Sequence, residues 1–161
     1  MVIRYLYCHL FVVGDFMLEL YDGALDVPKI LKEWYEAEAK SNYGAFIPFV
    51  GTIRDEDGID GLSFDVYEPI LESWFKEWQK KAKAKGAVIK MAHSRGDVHL
   101  HESSYIAAVF SPKRRVALEF IDEFVEDFKA SAPIWKYELK NGKRIYAKDR
   151  STAIKGSGLL A

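Results

Sequence analysis

The sequence contains a single cysteine, Cys8, among its 161 residues. One thiol cannot form an internal disulfide, so a secreted disulfide scaffold is excluded. It also cannot supply a cysteine-rich zinc or iron–sulfur site. A chain of this length buries about 70% of its unfolded surface when it folds, so a hydrophobic core can stabilise it without such cross-links.

Long apolar runs and an excess of one charge are also absent. No stretch approaches the roughly 18 apolar residues of a membrane span. The 23 Lys and Arg side chains nearly balance 24 Asp and Glu, which gives a formal net charge of −1. A protein that coats nucleic acid or an anionic membrane usually carries a clear basic excess. We therefore expect neither a nucleic acid nor a membrane as a partner, although a small basic site is compatible with this balance.

Residues 1–16 have an apolar middle, but Arg4 is their only basic residue and no small-residue cleavage site follows. A signal peptide therefore fits poorly, and we expect a cytoplasmic protein. Two alternatives remain open: Met17 is the natural start, or residues 1–16 add a strand. The predicted organisation is an N-terminal extension of uncertain origin (1–16), one domain (17–150) and a C-terminal tail (151–161).

The rest of the sequence mixes helical and strand patterns. Apolar spacing predicts helices over about 27–40 and 69–85, and a third that starts at Ser111-Pro112 and stops at Pro133. Strands are predicted at 17–22, 45–53, 62–67, 87–92, 104–110, 134–140 and 143–148. The last two flank Asn141-Gly142, a strong signal for a hairpin turn. Without strict alternation of the two patterns, we predict one α+β domain with helices packed on a largely antiparallel sheet.

Histidines are the first candidates for chemistry. His99 and His101 would share a face if they lay on one strand, with His93 a few residues before, and two imidazoles can bind a metal. No third ligand has recognisable zinc spacing, so a polar sheet face is the simpler interpretation, and we predict neither a metal nor a cofactor. Cys8 lies in no catalytic motif, and an inert thiol is the default for such a residue.

Cationic side chains are more informative. Lys113 and Arg114 fall in the first turn of the third predicted helix, where the helix N-terminus already carries partial positive charge. Cations there make sense if an anion is held by the same backbone N–H groups, whereas each cation taken alone is an ordinary solvated surface charge. Lys129 falls at the opposite end of that helix, Lys136 lies in a strand of large side chains, and Arg54 follows an apolar strand. Spacing alone does not bring these residues together.

Three segments together resemble the large, catalytic subunit of molybdopterin synthase: residues 44–54, 111–114 and 129–138. The last is the most specific, because it has a lysine, a short gap, Ala-Pro, Ile-Trp-Lys, one further residue and a glutamate. The similarity extends from about Met17 to about Arg150. It implies an α/β hammerhead-type fold.

The resemblance also implies an activity. Members of that family convert cyclic pyranopterin monophosphate into molybdopterin, a step of molybdenum cofactor biosynthesis. The sulfur arrives as a thiocarboxylate on the C-terminal Gly-Gly of a ubiquitin-like small subunit, whose tail enters a pocket of the large subunit. Two large subunits form a homodimer with one small subunit at each end, which makes a heterotetramer. The alternative function is a non-catalytic module that only binds a Gly-Gly tail.

Residue by residue, Lys129 and Lys136 match the family's two catalytic lysines. The substrate site of the family corresponds here to Arg54, Lys113, Arg114 and Glu138. Lys113 stands where many members have histidine, so a group that titrates near neutral pH is replaced by a permanent cation. Residues 93–96 read His-Ser-Arg-Gly instead of the usual His-Arg-x-Gly. Arg95 is therefore assigned no role from the resemblance.

Overall fold

The structure is a computed structural model that describes residues 11–13 and 17–148. Within the predicted N-terminal extension, only residues 11–13 are described, and they form a strand. The predictions for Cys8, for the C-terminal tail (151–161) and for the domain end at residue 150 lie outside the described residues.

Three helices and eight strands make up the described part of the chain. The helices are α1 (Val27–Glu38), α2 (Glu68–Ala84) and α3 (Arg114–Ser131). The strands are β1 (Phe11–Val13), β2 (Leu18–Asp22), β3 (Ala45–Thr52), β4 (Gly61–Val66), β5 (Val88–His99), β6 (Ser103–Ser111), β7 (Ile134–Lys140) and β8 (Lys143–Tyr146). Each predicted helix and strand between residues 17 and 148 has a counterpart.

Two predicted boundaries are wrong. The third helix begins at Arg114 rather than at Ser111, because Ser111 still belongs to β6 and pairs with Ala45 of β3. The Ser111 hydroxyl instead accepts a hydrogen bond from the Lys113 N–H at 3.2 Å. The strand predicted over 87–92 continues to His99, because its polar second half pairs with β4.

β5 connects two halves of the sheet. Its first half pairs with β6, its middle pairs with β2, and its last residues, from Gly96 to His99, pair with β4. β3 extends the first half beyond β6, whereas β7 and β8 extend the second half beyond β4. Only β2 and β5 are parallel among these pairs. The prediction of an α+β fold with a largely antiparallel sheet is therefore confirmed.

The helices cover the two faces of the first half of the sheet. On one face, α2 and α3 pack through large apolar side chains, with Phe75, Trp78 and Phe124 at the centre. On the other face, α1 packs through Ile30 and Trp34. Alternate residues of β6 point to the two clusters, as the period of a strand requires. No helix in the described ranges is long and apolar enough to span a membrane.

Candidate functional site

Lys129 lies in the last turn of α3, exposed to solvent. The residue before it, Phe128, stacks on Tyr105 of β6 with ring centroids 4.1 Å apart. Phe128 also meets the ring of His93, at 5.5 Å between centroids. Ala132 leaves the helical conformation, and its N–H bonds the Phe128 carbonyl at 3.1 Å. The exposed lysine is therefore carried by a turn that buried aromatic rings hold in place.

Lys136 and Glu138 lie two residues apart on β7, so their side chains share one face of the sheet. The strand register places Lys136 opposite Phe64 and Glu138 opposite Leu62 in β4. Phe64 meets the His93 ring edge-on, at 5.0 Å between centroids. Lys136 is near enough to the imidazole for its charge to lower the pKa of His93. The last turn of α3 and this face of β7 thus meet at the same buried histidine.

Arg54 lies two residues beyond Thr52, the last residue of β3. The residue before it, Ile53, is buried in a small cluster with Phe64, and Ile134 of β7 packs against that cluster. Ile134 lies on the face of β7 that carries Lys136, because the two are two residues apart. The Arg54 side chain is 77% exposed and pairs with Glu56 at 2.8 Å. The end of β3 therefore brings a guanidinium to the same part of the molecule.

The opposite end of α3 is different. Lys113 is the N-cap residue and Arg114 is the first helical residue, and both are exposed. Neither side chain has an ion pair or hydrogen bond within the described ranges. At 1.5 Å per residue, the helix places Arg114 and Lys129 about 22 Å apart. One protomer therefore gathers only part of the predicted set: Arg54, Lys129, Lys136 and Glu138.

His93 is a member of this site that sequence analysis did not identify. Its side chain is buried, with 2% of its surface exposed. Nδ1 lies 2.7 Å from the Ser94 carbonyl oxygen, and because a carbonyl only accepts, Nδ1 carries the proton. Burial lowers the pKa of His93 to about 4, and Lys136 acts in the same direction, whereas the bond to Ser94 opposes them. The imidazole is therefore neutral at physiological pH.

The other predicted histidines do not form a site. His99 ends β5, and His101 lies in the turn after it with a φ of 66°, so the two do not share a strand face. Residues 17–148 hold no group of three or more His, Cys, Asp or Glu side chains that could bind a metal ion.

Arg95, which follows the histidine by two positions, has a structural role. Its guanidinium pairs with Asp22 at the end of β2 at 3.1 Å and with Glu68 at the start of α2 at 2.7 Å. It therefore ties β2 and α2 to β5.

Comparison with known proteins gives a consistent result. Residues 22–131 match the family described as MoaE protein. The chain is 53% identical over 145 residues to the molybdopterin synthase catalytic subunit of Helicobacter pylori strain 26695, covering 90% of this chain and 100% of the relative. The corresponding protein of strain J99 is 46% identical, with the same coverage of both chains.

Solved structures extend the comparison to three dimensions. A chain from the protein–protein complex of subunits 1 and 2 of molybdopterin-converting factor from Helicobacter pylori 26695 has a TM-score of 0.85 and 52% identity, covering 90% of this chain and 99% of that chain. Molybdopterin synthase from Staphylococcus aureus has a TM-score of 0.68 at 21% identity, covering 79% of this chain and 93% of that chain. The second likeness concerns the fold alone.

Proposed function

The chain belongs to the MoaE family of molybdopterin synthase catalytic subunits, and on that premise we propose that it transfers sulfur to cyclic pyranopterin monophosphate. The donor is the thiocarboxylate of a ubiquitin-like small subunit. The Helicobacter pylori relative was solved as a complex of two subunits, which supports a partner of this kind. Two transfers build the dithiolene of molybdopterin.

One observation carries the residue assignment: the last turn of α3 and the inner face of β7 meet at His93. This supports placing Lys129 and Lys136 in one site, although six residues of chain separate them. A thiocarboxylate is an anion, and its carbonyl oxygen gains negative charge when the carbon is attacked. A fixed ammonium group such as Lys129 stabilises that developing charge, and Lys136 supplies a second cation. We assign catalysis to these two lysines.

Arg54 and Glu138 fit the pterin substrate. A guanidinium forms paired hydrogen bonds to phosphate, and Arg54 is exposed enough to do so by exchanging its present partner, Glu56. Glu138 places a carboxylate on the face that carries Lys136, where it can accept hydrogen bonds from ring N–H groups. A cation that binds phosphate and a carboxylate that accepts hydrogen bonds from ring N–H groups together match the pterin substrate, which is an anionic heterocycle.

Lys113 and Arg114 belong to the same proposed substrate site but cannot reach Lys129 of their own protomer, about 22 Å away along the helix. A second copy of the chain can supply them. In a two-fold symmetric dimer, each protomer would place the N-terminal end of its α3 beside the lysines of the other protomer. This arrangement gives two equal sites. This geometry supports the homodimer core, with one small subunit at each end.

The test is a single-turnover assay with the thiocarboxylated small subunit and cyclic pyranopterin monophosphate, followed by quantification of molybdopterin. We expect Lys129→Ala to lower the rate by about 100-fold, as the loss of one charge-stabilising donor does elsewhere. Small-subunit binding should stay within about twofold, because most of an interface contributes little to affinity.

Lys140→Ala is the matched control, since Lys140 lies on β7 four residues beyond Lys136 and donates a hydrogen bond to the Asp57 carbonyl at 3.1 Å. Its rate should equal that of the unmodified chain. Near-normal turnover by Lys129→Ala would contradict the catalytic assignment. An unmodified chain that binds the small subunit but forms no molybdopterin would instead be a tail-binding module.

A further inference from the structure

His93 lies where the two halves of the sheet join. It pairs with Leu20 of β2 and Tyr105 of β6, and three residues later β5 begins to pair with β4. Its ring is surrounded by the aromatic side chains of three different elements: Phe64 on β4, Tyr105 on β6 and Phe128 on α3. A phenylalanine would fit such an aromatic environment without the cost of burying two ring nitrogens.

The orientation of the imidazole is fixed by one hydrogen bond. Nδ1–H donates to the Ser94 carbonyl, which leaves Nε2 as a bare acceptor on the opposite side of the ring. The charged group that acts on this ring is Lys136, from β7. Tyr105 is an ionisable side chain that also contacts the ring, and its buried hydroxyl has no hydrogen-bond partner among the residues that the structure describes.

Two of the rings that contact His93, those of Phe128 and Phe64, belong to residues next to the two lysines. Phe128 immediately precedes Lys129, and Phe64 is directly opposite Lys136. A shift of the ring would therefore move the helix turn and the strand face relative to each other. An error of about 1 Å between reacting groups is enough to slow catalysis by up to about 100-fold.

We propose that His93 is a positioning residue of the sulfur-transfer site, which fixes the turn that carries Lys129 and directs its bare Nε2 toward the side of Lys136. This inference rests on the function proposed above. The neutral ring adds no positive charge beside Lys136, so the lysine keeps its orientation toward the substrate anions. A buried polar residue that breaks the local apolar pattern is expected at functional sites rather than elsewhere in a core.

The first experiment compares His93→Phe with His93→Gln in the complete complex with thiocarboxylated small subunit. Phenylalanine keeps the shape and loses both nitrogens, whereas glutamine retains a donor and an acceptor. We expect His93→Phe to keep the melting temperature, to lower kcat by about 10-fold and to leave the KM for the small subunit within twofold. His93→Gln should recover kcat to within about threefold of the unmodified protein.

The matched control is Tyr105→Phe, which removes only a hydroxyl that has no partner and keeps the ring stack with Phe128. Its kcat should be unchanged. An unchanged kcat in a folded His93→Phe would overturn the proposal. So would equal losses of kcat and melting temperature in both His93 variants, since that pattern indicates a space-filling role.

The second experiment needs no turnover and separates this inference from the proposed function. Nitrogen NMR of the histidine rings should show His93 protonated at Nδ1 and bare at Nε2. Lys136→Met should move the Nε2 resonance, whereas Lys140→Met, on the same strand, should leave it unchanged. If the His93 Nε2 resonance does not move in Lys136→Met, the proposal is overturned, even if the unmodified protein is fully active. A moved resonance supports it even if the expected product is never formed.

Discussion

The two ends of α3 carry cations in opposite settings. At the C-terminal end, Lys129 lies where the helix dipole favours positive charge. That end is fixed by Asp127, which accepts hydrogen bonds from the indole nitrogens of Trp74 and Trp78 at 2.9 and 2.7 Å. At the N-terminal end, Lys113 and Arg114 lie where the dipole disfavours them, and their side chains have no partner in the ranges that the structure describes.

This difference indicates that the two ends of α3 have separate roles. Lys129 is exposed, but the helix turn that carries it is packed in one geometry by its own chain, which suits a group that must stabilise a developing charge. Exposed cations in an unfavourable setting gain most from a bound anion, which both they and the helix N-terminus attract. We therefore assign the reaction to the C-terminal end and recognition of substrate anions to the N-terminal end. On the proposed arrangement, the two ends meet across two protomers of a dimer.

The largest effect is expected from mixing two inactive variants. Arg114→Ala and Lys129→Ala should each lose most turnover. If each site takes Arg114 from one protomer and Lys129 from the other, a mixed dimer holds one intact site and one doubly altered site. After subunit exchange at equal concentrations, half of the dimers are mixed, so turnover should rise to about a quarter of that of the unmodified protein.

The control for this mixture is a double variant, with both substitutions on one chain, exchanged with the unmodified chain. Its mixed dimers contain two sites with one altered residue each, so they should add almost no turnover. If the Arg114→Ala and Lys129→Ala mixture stays inactive after verified exchange, each protomer works alone and the comparison of the two ends needs another explanation.

A pH effect of intermediate size is expected at the C-terminal end. In the unfolded chain, the imidazole of His93 takes up a proton near its usual pKa of 6.5, whereas burial lowers the pKa in the folded protein to about 4. Unfolding therefore binds a proton between those values, and stability falls as the pH falls from 6.5 to 4. The full difference corresponds to about 3 kcal/mol.

Urea unfolding of the unmodified protein and of His93→Phe across this pH range measures the effect. The difference in the free energy of unfolding between the two proteins should be constant above pH 6.5. Below pH 6.5 it should change in favour of the variant, by about 3 kcal/mol at pH 4. Taking the difference removes the contribution of groups that both proteins share, such as Glu19, whose pKa burial raises. Parallel pH profiles would mean that folding leaves the pKa of His93 unchanged, so that burial does not lower it.

Apolar periodicity was sufficient to predict the three helices and most strands, because each amphipathic segment buries one face. The second half of β5 was missed because residues 93–97 are mostly polar, yet His93 and Ser94 are buried. The rings that bury His93 include Phe64 and Phe128, which lie 29 residues before it and 35 residues after it in sequence. A local pattern cannot contain that information.

The candidate site shows the same limit. The resemblance locates the lysines and arginines one by one, and the predicted third helix places Arg114 and Lys129 at its opposite ends, as α3 does in the structure. Neither reveals how Arg54 or Lys136 lies relative to that helix. Likewise, His93 begins a segment that departs from the family's His-Arg-x-Gly pattern, and nothing in that segment connects it to Lys136. The connection comes from the pairing of β4 with β7, which sequence spacing does not specify.

The smallest effect compares packing at the two ends of α3. Phe128→Ala removes a partly buried ring that stacks on Tyr105 and contacts His93 and Trp74, so we expect a loss of about 2 kcal/mol in the free energy of unfolding. Val116→Ala, a half-buried change near the other end, should cost about 1 kcal/mol. Urea midpoints give both values.

Turnover at saturating small subunit should fall only in Phe128→Ala, because that ring fixes the turn of the catalytic lysine. Equal turnover in the two variants would show that packing at this end serves stability alone.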